Sequence, residues 1–290
     1  MTDLGYADSL AGGPVAVSAV AMNANILRSG RIVQLYVINL TRSAGRRAFM
    51  RKQLDKLRID HEFIVAVDGR ELDLSDTETF DPAWIADPGF RPGAAGCALS
   101  HLAVYKKILE TGAAAALVLE DDVELPQDLL ALAEAVDRYL HMAEVVLLNF
   151  HSDQPCRITR ANAQELPESR LLVDVVDVSQ VSSTGCYVIS REACERIVAD
   201  RIPLGAFADE WWRFQKFGWL DRVRCVVPIA VPNAPSLRTT IDVYQHDSLK
   251  ARLREFVSES KMPVVHQLLA LRRKRTFRRL GWVGKIEFVD

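Results

Sequence analysis

The apolar run Ala113 to Leu119 ends in three adjacent carboxylates, Glu120-Asp121-Asp122, and no other segment constrains the fold of this chain as much. A short apolar run of this length reads as a strand buried in a sheet. In an α/β fold the carboxyl ends of the strands are where ligands bind. A divalent metal carrying a diphosphate would take its oxygen ligands at such a rim. The plainer alternative is that the acids cap a helix starting near Pro126-Gln127-Asp128, or pair with arginines. Termination of a strand in three charges favours the cation.

The segments around the triplet supply the rest of an α/β pattern. Val33 to Leu40 is a β-branched run, and Met50, Leu54 and Leu57 follow at helical spacing. Glu62 to Val67 gives a second strand closed by the turn pair Asp68-Gly69. Strand, helix and strand in this order imply a parallel sheet. Leu72 to Gly96 is broken by Pro82, Pro88 and Pro92 and reads as a loop-rich lid or cover. A helix is expected over Ala98 to Glu110, then the strand ending at the triplet, a helix over Leu129 to Tyr139 and a strand over Glu144 to Asn149. Gln154 to Arg170 reads as irregular or hairpin. Strands are expected over Leu171 to Val178, Val181 to Ser190 and Val223 to Val231, with Ser190 as N-cap of a helix over Arg191 to Asp200. Ala208 to Phe217 forms a short aromatic helix, and two helices, Asp247 to Glu259 and Val264 to Leu280, close the chain. The expected architecture is an α/β domain over residues 31–240 with a mixed, mainly parallel sheet, between a flexible extension (1–30) and a basic helical segment (241–290).

With 290 residues, 49% of them hydrophobic and 26% charged, the chain has a globular composition. Its net charge of -2 hides a division. Between Ala251 and Lys285 ten Lys or Arg face only Glu255 and Glu259, so that stretch carries +8 and the remainder -10. Five cysteines without CxxC spacing indicate neither a disulfide framework nor a zinc site, and buried reduced thiols are expected. Acids Asp3 and Asp8 stand where a signal peptide needs basic residues. No run is apolar enough to span a bilayer. A cytoplasmic protein is therefore expected.

Six blocks then occur in a telling order: VINLTRSAGRR (Val37 to Arg47), AVDGREL (Ala66 to Leu72), GCALSH (Gly96 to His101), LVLEDDVEL (Leu117 to Leu125), STGCYVISREA (Ser183 to Ala193) and ADEWW (Ala208 to Trp212). Together they resemble glycosyltransferase family 25, over about Val33 to Pro232. The resemblance implies a GT-A-like (Rossmann-like) fold, a UDP-sugar donor, usually UDP-galactose, and inversion at the anomeric carbon. It also makes the triplet a counterpart of the DxD motif holding Mn²⁺ or Mg²⁺, which would neutralise charge on the departing UDP. On that reading Asp122 is the first metal ligand, and Asp121 or Glu120 is a ribose contact or second ligand.

Other residues gain roles from the same resemblance. Leu40 and Arg42 lie in the loop after the first strand and would face the donor, with Arg46 and Arg47 one helical turn further on; Arg47 is assigned to the donor phosphates, which suit a planar guanidinium. Asp68 would accept from uracil or ribose, although an Asp before Gly is also an ordinary turn residue. Ser100 and His101 are assigned to substrate contact, and Thr184 to the donor sugar. Asp209 is the expected catalytic base or a second metal carboxylate, with Glu210 the alternate, because direct displacement needs a group to take the acceptor proton. Trp211 and Trp212 offer flat surfaces to a sugar, although one of them is equally well a core residue.

The run Arg272-Arg273-Lys274-Arg275 with Arg278-Arg279 reads as a basic amphipathic helix for the anionic inner face of the cytoplasmic membrane, which suits a lipid-linked glycan acceptor. No nucleic-acid recognition motif accompanies it. Two rival readings stand beside the transferase: a catalytically silent nucleotide-binding scaffold of the same fold, and a metal-dependent nuclease or phosphatase, for which the further His and Asp clusters of a two-metal site are missing.

Overall fold

The computed structural model describes residues 33–152, 156–235, 237 and 286–289. The expected extension at 1–30, the helices at Asp247 to Glu259 and Val264 to Leu280, and the basic run Arg272 to Arg279 lie outside the described residues.

One sheet organises the rest. Its strands are β1 (Val33–Asn39), β2 (Glu62–Val65), β3 (Ala115–Glu120), β4 (Glu144–Leu147), β5 (Cys156–Leu166), β6 (Arg170–Val175), β7 (Cys186–Ser190), β8 (Arg222–Val227) and β9 (Ile286–Phe288), in the spatial order β2-β1-β3-β7-β4-β8-β6-β5-β9. Helices α1 (Ala44–Leu57), α2 (Pro82–Ile85), α3 (Pro92–Thr111), α4 (Leu129–Tyr139), α5 (Arg191–Asp200) and α6 (Trp211–Lys216) connect them. Strand β1 pairs in parallel with both β2 and β3, as the βαβ pattern predicts. Strand β7 runs antiparallel between β3 and β4, and β6 is antiparallel to both β8 and β5. The sheet is mixed, as expected, and its parallel and antiparallel pairings are evenly balanced.

Alternation along β1 explains its unbroken apolar sequence. Leu35 and Val37 face a core with Met50, Leu54, Leu129 and Leu132 from α1 and α4. Tyr36 and Ile38 face the opposite core with Leu102, Tyr105, Ile197 and Trp211. A strand buried on both faces has no polar side to alternate with. The β5–β6 hairpin has such a side, with exposed Arg157, Arg160, Ala161 and Asn162, and of the two readings of this polar segment, irregular or hairpin, the structure shows the hairpin.

Among the boundaries that depart from the expectation, two have clear physical reasons. Helix α3 begins at Pro92, six residues before the expected Ala98, because proline suits the first helical position and its missing N–H is not needed there. The early start brings Gly96 against the turn after β2. A Cβ on Gly96 would stand 2.6 Å from the Val67 carbonyl oxygen, and one on Gly69 would stand 2.1 Å from that of Pro92. Ser100 pins the same junction, accepting from the Val67 N–H at 2.8 Å and donating to the Gly96 carbonyl at 2.6 Å. The second departure is β7, which starts at Cys186. Ser182 before it bridges His151, and the chain bends through Gly185 into the strand, with Ser183 at φ 103°. Ser190 caps α5 as expected, accepting from the Ala193 N–H.

Because β1, β2 and β3 run parallel, their carboxyl ends share one rim, and the antiparallel β7 brings its N-terminal turn to the same place through the Leu119–Cys186 pairing. Beside that rim, Phe80, Trp84, Ala95, Ala98, Leu204 and Ala208 form a small satellite core that anchors the loop-rich segment.

Candidate active site

A cavity of about 450 Å³ opens at this rim between the ends of β1 to β3, the turn after β2 and the first turns of α3. Leu40, Arg42, Asp68, Ser100, His101, Glu120, Asp121 and Asp122, all singled out from sequence, line it together. Arg46, Arg70, Arg91 and Cys97 complete much of its polar wall.

The three acids have different surroundings. Asp121 is buried and accepts from Asn39 Nδ2 at 2.6 Å, a contact made possible by the adjacent ends of β1 and β3. Arg46 reaches from α1 to Asp121 at 2.7 Å and also pairs with Asp122. Burial, followed by the charge of Glu120, pushes the Asp122 carboxyl up to about 6 despite that arginine. Glu120 points away from Arg46's pairings and towards α3. It accepts from Thr184 Oγ1 at 2.5 Å and lies 3.6 Å from His101 Nε2. Burial alone would raise the Glu120 carboxyl, but His101, Thr184 and Arg46 outweigh it and hold it below the usual range. None of the three caps α4, whose N-cap position is Asp128, itself paired with Arg170. Pairing with an arginine, the other plain alternative, does occur.

Across the cavity Asp68 gathers two guanidinium groups, Arg42 at 2.7 Å and Arg70 at 2.7 Å. Hydrogen bonds from Arg70 and then Arg42 hold its carboxyl well below the ordinary aspartate range. Arg46 rather than Arg47 is the helix α1 arginine at this site. The Arg47 guanidinium lies 4.0 Å over the Phe63 ring, outside the cavity lining, so the placement assigned to it from sequence is corrected. Adjacent arginines differ by about 100° around a helix, and sequence alone did not say which would turn inward.

The ADEWW block divides sharply. Trp211 is fully buried between Tyr187 and Phe214, with its Nε1–H donated to the Ser183 carbonyl at 3.1 Å, so it is a core residue and not a sugar platform. Trp212 is 37% exposed. Glu210 accepts from the Phe207 N–H at 2.8 Å and pairs with Arg213 at 3.3 Å, which commits its carboxylate to closing the turn before α6. Burial raises the Glu210 carboxyl above its ordinary value. Asp209 is half-buried, and its charge acts on the Cys97 thiol together with those of Glu120 and Asp122, which puts the two acidic clusters within electrostatic reach of each other. Ser100 has both its donor and acceptor roles spent on the α3 junction.

Asp121, Asp122 and Glu120 offer only oxygen donors, the set a hard divalent cation takes. Burial and the adjacent Glu120 charge raise the Asp122 carboxyl even with Arg46 in place, and a cation would relieve both. The residues therefore fit a Mn²⁺ or Mg²⁺ ion.

A family model described as glycosyltransferase family 25 (LPS biosynthesis protein) matches residues 32–201. Procollagen galactosyltransferase 2 of Mus musculus is 26% identical over 178 residues, covering 57% of this chain and 27% of that protein. The inactive glycosyltransferase 25 family member 3 of Mus musculus is 32% identical over 99 residues, covering 31% of this chain and 16% of its own. This chain thus spans about a quarter or less of the length of these relatives. A mannose-1-phosphate geranyltransferase structure from Thermus thermophilus aligns over 70% of this chain and 74% of its own at 14% identity, with a TM-score of 0.31.

Proposed function

The chain belongs to glycosyltransferase family 25, and from that premise we propose that it is an inverting, metal-dependent enzyme of GT-A type. It moves a hexose, galactose from UDP-galactose, to a hydroxyl of a glycan or lipid-linked acceptor. The observation that carries this reading is one cavity in which a strand-end carboxylate cluster faces an arginine-rich wall. Arg42 and Arg70, which share Asp68, are the groups that turn to the diphosphate, and Arg46 steadies Asp121 and Asp122. A bound Mn²⁺ or Mg²⁺, held by Asp122 with Asp121, would supply charge neutralisation at the leaving diphosphate.

Asp209 is the proposed base, since the Glu210 carboxylate is already engaged in its own turn. As the acceptor oxygen bonds to the anomeric carbon, the bond to UDP breaks on the opposite face and the hydroxyl proton passes to Asp209. Trp212 stands beside it as the exposed ring of the pair. The basic run Arg272 to Arg279 supports a lipid-linked acceptor at an anionic membrane surface.

The test is UDP release from a panel of UDP-sugars with Mn²⁺ and glycan acceptors. UDP-galactose should turn over, and Asp209→Asn should lower kcat by roughly 10²- to 10⁴-fold while leaving donor affinity near that of the wild type. No release from any donor, with UDP bound equally by wild type and Asp122→Asn, would defeat the proposal. A second reading, a catalytically silent member, draws support from the inactive mouse relative. Metal-dependent UDP-sugar binding without product across the whole panel would favour it.

A further inference from the structure

The α3 wall of the cavity carries a second set of donors, different in kind from the aspartates. Cys97 and His101 are four residues apart on α3 and therefore share a helical face. Strand β3 brings Glu120 opposite them. The sulfur of Cys97, a ring nitrogen of His101 and a carboxylate oxygen of Glu120 all lie within 4.8 Å of one another. Glu120 Oε1 is 3.6 Å from His101 Nε2 and 4.0 Å from Cys97 Sγ. A tetrahedral zinc, with bonds of about 2.3 Å to sulfur and about 2.0–2.2 Å to nitrogen and oxygen, separates its ligands by roughly 3.4–3.6 Å. Two sides of the triangle, at 3.6 and 4.0 Å, are close to that spacing, and the third lies within 4.8 Å.

Hydrogen bonding around His101 points the same way, independently of spacing. The ring is 1% exposed, and its Nδ1 lies 2.7 Å from the Tyr187 hydroxyl. Tyr187 donates its one proton to Tyr105 Oη at 3.1 Å, so its oxygen accepts from the Nδ1–H. Nε2 then faces Glu120 and Cys97. That nitrogen is buried and has no hydrogen-bond partner; 3.6 Å from Glu120 is beyond hydrogen-bonding reach. A buried ring nitrogen that faces a carboxylate without a hydrogen bond is an arrangement that a cation resolves. A histidine ligand fixed by a hydrogen bond on its other nitrogen is also the usual pattern of zinc sites.

From this the geometry points to a zinc site formed by Cys97, His101 and Glu120, with its fourth position open to the cavity. A thiolate and an imidazole select zinc over the hard cations that suit Asp121 and Asp122. Binding releases the Cys97 thiol proton to solvent. Because Glu120 belongs to both neighbourhoods, zinc here would also oppose the transferase; that consequence, but not the site itself, rests on the proposed function.

The experiment uses the full chain, stripped of metal by a chelator and dialysed, with Co²⁺ and Zn²⁺ as probes. Co²⁺ binding to wild type should produce a thiolate-to-cobalt charge-transfer band that saturates at one equivalent of thiolate-bound cobalt, and Zn²⁺ should abolish it. Cys97→Ala should lose the band. Tyr187→Phe should keep it with affinity weakened roughly 10- to 100-fold. The other four cysteines are buried, and zinc protection of Cys97 from alkylation in wild type gives a readout that needs no variant to fold. Absence of the band in folded wild type, its survival in Cys97→Ala, or equal protection by Mn²⁺ would each overturn the site. Asp122→Asn should retain the band, so failure here is distinguishable from failure of the transferase reading.

Discussion

Residues adjacent in sequence do unlike work at this site. Glu120, Asp121 and Asp122 differ because a strand end sends successive side chains to opposite sides, one towards α3 and the next towards α1. Glu120→Gln should therefore disturb Thr184 and His101, whereas Asp122→Asn should act on metal and donor. The expected effect of Asp122→Asn is a loss of roughly 10²- to 10³-fold in kcat, measured by UDP release at saturating Mn²⁺ and donor. Glu210 gives a pH signature. Its folded pKa is raised by burial above the ordinary 4.5, so between those values the folded state binds more protons than the unfolded one. Its contribution to stability is then greatest in acid and declines as pH rises through that interval. Urea unfolding from about pH 4 to about pH 7 should show wild type losing stability relative to Glu210→Gln, and parallel curves for the two proteins would contradict the assignment. The sequence paired Asp209 and Glu210 as alternates because nothing in it tells which carboxylate the turn before α6 will engage.

At the scale of elements, one junction shapes the site and a second ties the opposite end of the sheet. The turn after β2 lies against α3 through Gly69 and Gly96, where neither position has room for a Cβ. Gly96→Ala should cost about 1–3 kcal/mol as the contact overpacks, and it should weaken donor binding because Asp68 and Arg70 ride on the displaced turn. Unchanged melting and donor affinity would show that the close approach is dispensable. The second junction is the fully buried pair Glu144–Arg224, which joins β4 to β8 and also engages the His141 N–H and the Tyr139 carbonyl. Arg224→Leu should destabilise the fold by roughly 3–5 kcal/mol, and adding Glu144→Leu should recover much of that loss in chemical denaturation. Elements with an unbroken apolar run, β1 and β3, or a clean helical period, α4 and α5, could be placed from sequence to within a few residues. The start of α3 and the exposed hairpin strand β5 could not, since a proline-led first turn and a half-solvated strand leave no such period.

For the whole molecule, the first five of the six ordered sequence blocks meet at one rim, although they are spread from Val37 to Ala193 along the chain. Parallel β1 to β3 and the reversed β7 gather the first five there. Side-chain direction was the part that sequence withheld: Arg46 enters and Arg47 does not, Trp212 is exposed and Trp211 belongs to the core. The zinc triangle was hidden for the same reason, since Cys97 and Glu120 belong to different blocks and only the packing of α3 on β3 joins them. The central claim is that strand-end carboxylates and a divalent cation together make the donor site. Calorimetric titration of UDP-galactose into the full chain tests it most directly, with Mn²⁺, with chelator, and in Asp122→Asn. Affinity should fall at least about tenfold, about 1.4 kcal/mol, when either the metal or Asp122 is removed, and removing both should cost little more than removing one. Equal affinity under all three conditions would contradict the account.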